Sequence, residues 1–255
     1  MDTRNHILNK LRTALNKPDL PFPSYNPPPL LDHMNVTAPL VANETDIHSL
    51  ALRFGQELEK LRGTYEIVET AVEARLALTN RLLDWMRAEE MARKGTRQNL
   101  DYTRSILGWS QNVLPVPGLQ DTFRDMGINL VSPEELRSQQ SRDQVRLIRY
   151  GLTGVEAAFA STGSMMMVSR PQTNRSASLL PIRHIALIPF SKLYPTMEDW
   201  VRTQRGNNEI VSLMRNHANL SMISGPSKSA DIEGTLTLGV HGPKFVHAIL
   251  FDSNV

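Results

Sequence analysis

The chain has 255 residues, no cysteine, and 28 Lys plus Arg against 26 Asp plus Glu, a net charge of +2. That length suits one large domain with an arm, and the missing thiols exclude disulfides, thiolate zinc sites, a cysteine nucleophile and cysteine-ligated iron–sulfur clusters within the chain. The small charge excess, with Arg142, Arg146 and Arg149 set among Asp143 and apolar positions, offers no basic field for nucleic acid.

The opening MDTRNHILNKLRTALNKP lacks the apolar core of a signal peptide, and nothing approaches the ~18 consecutive apolar residues of a membrane span. A soluble, cytoplasmic protein is expected. Ile7, Leu8, Leu11 and Leu15 mark one face of a short first helix, with Asp2 or Thr3 as its cap. Seven of the 16 prolines follow, from Pro18 to Pro39, and proline removes a backbone donor and fixes φ. Residues 1–42 therefore read as a helix and a proline-rich arm, and 43–255 as the domain.

Ile47, Leu50, Ala51, Phe54, Leu58 and Leu61 recur at helical spacing, with Gly63 placed to end the helix. A strand over Tyr65–Val68 precedes a long helix from Ala71 to about Ala92, with an apolar line at Val72, Leu76, Leu83 and Met86. Ser105–Trp109 and Ile128–Val131 read as strands around a short helix ending near Gly127, and Ser132–Pro133 suits a helix start. Further strands are expected at Gly151–Thr153, Ser164–Val168, Ile185–Pro189, Leu220–Ser224, Thr235–Val240 and Phe245–Phe251. The last two look like an antiparallel hairpin, because Leu236, Leu238 and Val240 alternate. The alternation of strands and helices predicts an α/β fold, a mixed sheet flanked by helices.

Three segments hold polar groups at expected strand ends. Ser224, Gly225, Ser227 and Lys228 lie in a loop read as leading into a helix at Ala230, whose free N–H groups would suit an anion. Asp231 and Glu233 would equally suit a plain helix cap. Thr162, Gly163 and Ser164 lie between an expected short helix and a strand, as a close-approach loop or a tight turn. His241, beside Gly242 and Pro243, is either a functional or a hydrogen-bonded turn histidine. The run Met165 to Met167 reads as core filling. No zinc-protease pattern, phosphate-binding loop or nucleophile elbow occurs, so no metal site is expected. In an open α/β sheet these loops would converge on one pocket, with Glu156 beside them.

The C-terminal run SGPSKSADIEGTLTLGVHGP resembles the S-G-P-S-(R/K)-T-A-D-I-E…L-G-V-H-G-P pattern of the lactate-utilisation protein C, or LUD-domain, family. GLTGVEAAFASTGSMMM and LLPIRHIALIPFSKLYPTMEDW are similar to two further family blocks, and HILNKLRTALNKP to its N-terminal helix. The resemblance covers essentially the whole chain and is specific from Gly151 onward. It implies the fold of ribose-5-phosphate isomerase, glucosamine-6-phosphate deaminase and the CoA transferases. It also implies an accessory role beside iron–sulfur subunits that oxidise L-lactate to pyruvate, with no cofactor in this chain. Ser161 stands where the family has a glutamate, and Glu156 takes the place of its aspartate. Either Glu156 supplies a catalytic carboxylate, with His241 its candidate companion, or the chain is a divergent binding or assembly subunit. The alternatives are an independent enzyme of this fold acting on a small anionic metabolite and a structural subunit, in each case with a homo-oligomer allowed.

Overall fold

The computed structural model describes residues 3–15, 46–92, 104–132, 138–217, 219–230 and 236–253. Helix α1 (Thr3–Leu15) belongs to a first unit, Met1–Thr37, and carries exposed Ile7, Leu8 and Leu11. The proline-rich stretch 16–45 lies outside the described residues. All else belongs to a second unit, Ala38–Val255.

Helix α2 (Ile47–Lys60) starts at Asp46, whose carboxylate accepts the Ser49 N–H at 2.9 Å, and buries Leu50, Ala51, Phe54 and Leu58. Burial of a side chain such as Phe54 or Leu58 is worth about 1.5–3 kcal/mol. Its end is a Schellman turn: Gly63 N–H donates to Leu58 O (2.9 Å) and Arg62 N–H to Glu59 O (2.8 Å). The left-handed position is Arg62 (φ 73°), not the glycine expected there; Gly63 is needed instead because a Cβ would collide with the Leu58 side chain.

After α2 the chain forms β1 (Thr64–Val68), α3 (Ala71–Ala92), β2 (Ser105–Gly108), α4 (Leu119–Asp125), β3 (Asn129–Val131), α5 (Gln139–Val145) and β4 (Tyr150–Thr153). The buried face of α3 is Ala71, Ala74, Ala77, Leu78, Leu82 and Met86, whereas Val72 and Leu76 are more than half exposed. The apolar line expected through Val72 and Leu76 is thus on the wrong side. Small alanines let α3 approach the sheet closely, and they draw less notice than leucine in a reading by bulk. The helix expected to start at Pro133 falls partly on residues 133–137, outside the described residues.

The second half gives β5 (Ala157–Phe159), β6 (Ser164–Val168), α6 (Ser176–Leu179), β7 (Arg183–Pro189), β8 (Leu193–Tyr194), α7 (Met197–Gly206) and α8 (Ile210–Asn216). After these come β9 (Leu220–Ile223), β10 (Lys228–Ala230), β11 (Leu236–Leu238) and β12 (Phe245–Phe251). Six strands build one wholly parallel sheet, in the order β1-β12-β7-β4-β2-β3. Mixed pairing is confined to a second sheet, β8-β5-β6-β9, in which β5–β6 and β6–β9 are antiparallel and β5–β8 parallel.

The expected hairpin of residues 235–240 with 245–251 does not form. Strand β12 inserts between β1 and β7, and β11 pairs with β10 instead. The apolar pattern explains why. FVHAILF is buried from Val246 to Phe251, and a strand covered on both faces belongs inside a parallel sheet, whereas strict alternation suits a surface ribbon. Strand β6 is likewise buried throughout: Met165 and Met167 face the main core, Met166 and Val168 a second core with Trp200 and Leu213. The methionine run is core filling on two sides at once.

Two histidines are sealed in this scaffold. His184 Nε2 lies 2.9 Å from Thr153 Oγ1, and His247 Nδ1 lies 2.8 Å from Thr64 Oγ1, tying β12 to β1. Burial pulls His184 down to about 4; burial, with the Arg81 charge second, pulls His247 down to about 3, so both are neutral. At the strand-start end of the sheet, buried Glu89 accepts from Arg149 Nε and Arg183 Nη1, and Arg183 stacks 4.8 Å over Phe245.

Candidate functional site

Thr162 and Gly163 form the turn of the β5–β6 hairpin, not a helix-to-strand loop. Both N–H groups donate to Phe159 O, and Gly163 takes φ 61°. A Cβ on Gly163 would run into the backbone of Glu57 and Leu58 in the last turn of α2. Gly225 (φ 74°) presses on the same helix end, where a Cβ would lie 2.8 Å from Leu61 Cβ and 3.0 Å from Leu61 O. Ser164 Oγ and Ser224 Oγ are joined at 2.8 Å. The Thr-Gly-Ser and Ser-Gly-Pro segments thus meet in one seam around the end of α2.

Ser227 extends the seam. Its N–H donates to Pro243 O (2.8 Å), its carbonyl accepts from Gly239 N–H (2.9 Å), and a Cβ on Gly242 would lie 3.3 Å from the Ser227 Cβ. Lys228 starts β10 opposite Leu238, and Lys228 and His241 are exposed. The helix expected at Ala230 is therefore a strand, and the Ser227 N–H expected to be free for an anion is engaged by Pro243 O. Asp231 lies outside the described residues.

Glu156 is placed elsewhere. It precedes β5, its N–H donates to Met166 O, and it stands at the opposite end of the β5–β6 hairpin from Thr162 and Gly163. There it accepts from Arg170 Nη1 at 2.9 Å, while Arg170 Nε donates to His217 Nε2 at 2.9 Å. That bond fixes the histidine tautomer: the proton sits on Nδ1, which donates to Leu213 O (2.9 Å). Glu156 is the first carboxylate to act on the Tyr194 hydroxyl, which burial raises above its ordinary range.

Arg170 and His217 border an open cavity of about 660 Å³, lined also by Ser169, Asn174, Arg175 and, from the α8–β9 junction, Asn216 and Asn219. Ser110, next after β2 and Trp109, donates its N–H to Gln172 O (2.9 Å), which fixes the 169–175 segment beyond the carboxyl end of β2. From β2 the chain runs outward to β3, and from β4 it runs the other way to β7. This divergence between adjacent parallel strands is the topological switch point at which open α/β sheets bind ligands. Apart from Glu156, sequence reasoning passed over these residues. The available signal was the polar stretch Ser169–Arg175 directly after a buried strand.

The arrangement supports anion binding more readily than proton transfer, since Glu156 and His217 are both engaged by Arg170. Among the described residues no group of three or more His, Asp or Glu is placed to hold a metal ion.

A family model described as LUD domain matches residues 53–251. The chain belongs to the LUD domain family. Of its relatives, Lactate utilization protein C from Exiguobacterium sp. (strain AT1b) is 32% identical over 202 residues, which is 77% of this chain and 80% of that protein. Lactate utilization protein C from Bacillus subtilis is 40% identical over 96 residues, 36% of this chain and 38% of that one. The fold is shared with a solved DUF162 family protein from Deinococcus radiodurans, at TM-score 0.50 and 18% identity, covering 81% of this chain and 98% of that one. The helix-flanked parallel sheet of this LUD domain agrees with the isomerase/CoA-transferase-like architecture that the sequence resemblance implies. None of its described helices is long and apolar enough to cross a membrane.

Proposed function

We propose that this LUD domain protein serves lactate utilisation, as the accessory subunit of an iron–sulfur system that oxidises L-lactate to pyruvate. The observation that carries the reading is its 32% identity across four-fifths of the Exiguobacterium protein that bears the lactate-utilisation name. Oxidising one L-lactate to pyruvate releases two electrons and two protons. A chain without cysteine has no thiolate to anchor a cluster, so the electrons travel on iron–sulfur partner subunits. The role left to this chain is to bind and position within that assembly, in the cytoplasm.

The test is genetic and biochemical. Deleting the gene in its host should abolish growth on L-lactate as sole carbon source, and a plasmid copy should restore it. Affinity purification of the full chain from L-lactate-grown cells should bring down iron-containing proteins with C-x-x-C motifs. Undiminished growth of the deletion strain on L-lactate overturns the proposal. The polar cavity favours a second reading, an independent enzyme acting on a small anionic metabolite; turnover by the purified chain alone would establish it.

A further inference from the structure

We infer that the cavity between the Ser169–Arg175 segment and the α8–β9 junction binds a small 2-hydroxy or 2-oxo monocarboxylate, with Arg170 and Arg175 as its anion-binding groups. The carboxylate part stands on the cavity itself; the 2-oxygen rests on the lactate reading above. Arg170 is the anchor. With Nη1 held by Glu156 and Nε by His217, its planar guanidinium is fixed in orientation before any ligand arrives, and its Nη2 has no hydrogen-bond acceptor among the described residues. A guanidinium held this way presents N–H groups in the fork that a carboxylate fits, with little side-chain freedom left to lose on binding.

Arg175 is exposed, lines the same cavity, and pairs with no carboxylate among the described residues. Arg170 is matched by Glu156 behind it, whereas Arg175 is not matched, so the lining carries one uncompensated guanidinium and suits a monoanion. Asn174 commits its Oδ1 to the Ser176 N–H, and Asn219 its Oδ1 to the Ser221 hydroxyl. Their amide NH2 groups are left as donors for an oxygen beside the carboxylate. The buried histidines of the scaffold lie in other contacts and contribute nothing here.

The test is titration of the full chain with L-lactate, pyruvate, propionate and inorganic phosphate, read by calorimetry and by NMR of the asparagine side-chain amides. L-lactate or pyruvate should bind saturably and more tightly than propionate, which lacks the 2-oxygen, and should shift the amide signals of Asn174 and Asn219. Arg175→Gln should weaken that binding roughly tenfold, the worth of one charge-assisted contact. Glu156→Gln should strengthen it severalfold by removing the competing carboxylate, a change of sign that a merely structural ion pair would not give.

Equal binding of propionate, preference for phosphate, no binding at millimolar ligand, or shifts centred on Ser224–Lys228 would each overturn the inference. Failure here with an intact growth phenotype leaves the lactate role standing. Binding without a growth phenotype removes that role and keeps the site.

Discussion

The seam around the end of α2 and the cavity beside Arg170 are both polar, yet they are built on opposite principles. In the seam, Gly163 and Gly225 bring backbone against backbone, and Ser164 and Ser224 satisfy each other. The cavity holds side chains with donors to spare around open space. A conspicuous run of Ser, Gly and Pro can therefore mark where chain segments must touch, while ligand chemistry sits on scattered side chains that form no run. Polar composition alone does not separate the two; only close approach versus open space does.

The largest effect expected is from acid, and it tests whether both regions hang on one scaffold. Unfolded histidine has its ordinary value near 6.5, whereas burial holds His184 down to about 4 and His247 down to about 3. Above pH 6.5 they are neutral in both states and contribute nothing. As the pH falls below 6.5 the unfolded chain takes up protons that the folded core refuses, so stability drops by roughly 1 kcal/mol per pH unit for each histidine until the folded histidines protonate. Urea melts between pH 7 and pH 4 should show this loss equally in wild type and in Arg175→Gln. A smaller loss in the variant would place the acid sensitivity in the cavity.

Next is Gly163→Ala. It forces a side chain into a left-handed backbone and against the backbone of Leu58, so a loss of about 3 kcal/mol or more is expected by chemical denaturation. A loss below about 1 kcal/mol would break the account of the seam as a backbone contact. Ser164→Ala should cost about 1 kcal/mol, because Ser224 loses its partner. Arg175→Gln should change stability by less than about 0.5 kcal/mol while weakening ligand binding, the opposite pattern from Gly163. Deleting residues 1–42 should be the smallest in effect, with cooperative unfolding of the LUD domain retained in a thermal melt.

Most of the scaffold was legible. Helix α3 spans Ala71–Ala92 as expected, although the buried face is not the one read from its spacing, and the buried strands fall close to their apolar runs. What periodicity does not encode is which strand neighbours which. Strand β11 alternates and β12 does not, a difference that marks a surface ribbon and an interior strand, but the four residues between the two apolar runs, 241–244, suggest a hairpin more loudly. The cavity was obscure for a related reason. Glu156, Arg170 and His217 lie on three separate segments, and nothing in the spacing of 156, 170 and 217 says that two bonds of 2.9 Å join them.

The position of β12 also sets the order in which this protein can be made. Its residues leave the ribosome after all the other strands of its sheet, yet they fill the slot between β1 and β7. The Thr64–His247 contact spans 183 residues of sequence. Until residue 251 has emerged, β1 has no strand partner and β7 shows an open edge, so β7, β4, β2 and β3 can pair first and the six-stranded sheet is completed only by β12. A nascent chain of this kind carries an uncovered apolar edge on β7 from the time residue 189 is made until β12 follows. Its yield in cells should therefore depend on chaperone supply more than its final stability would suggest.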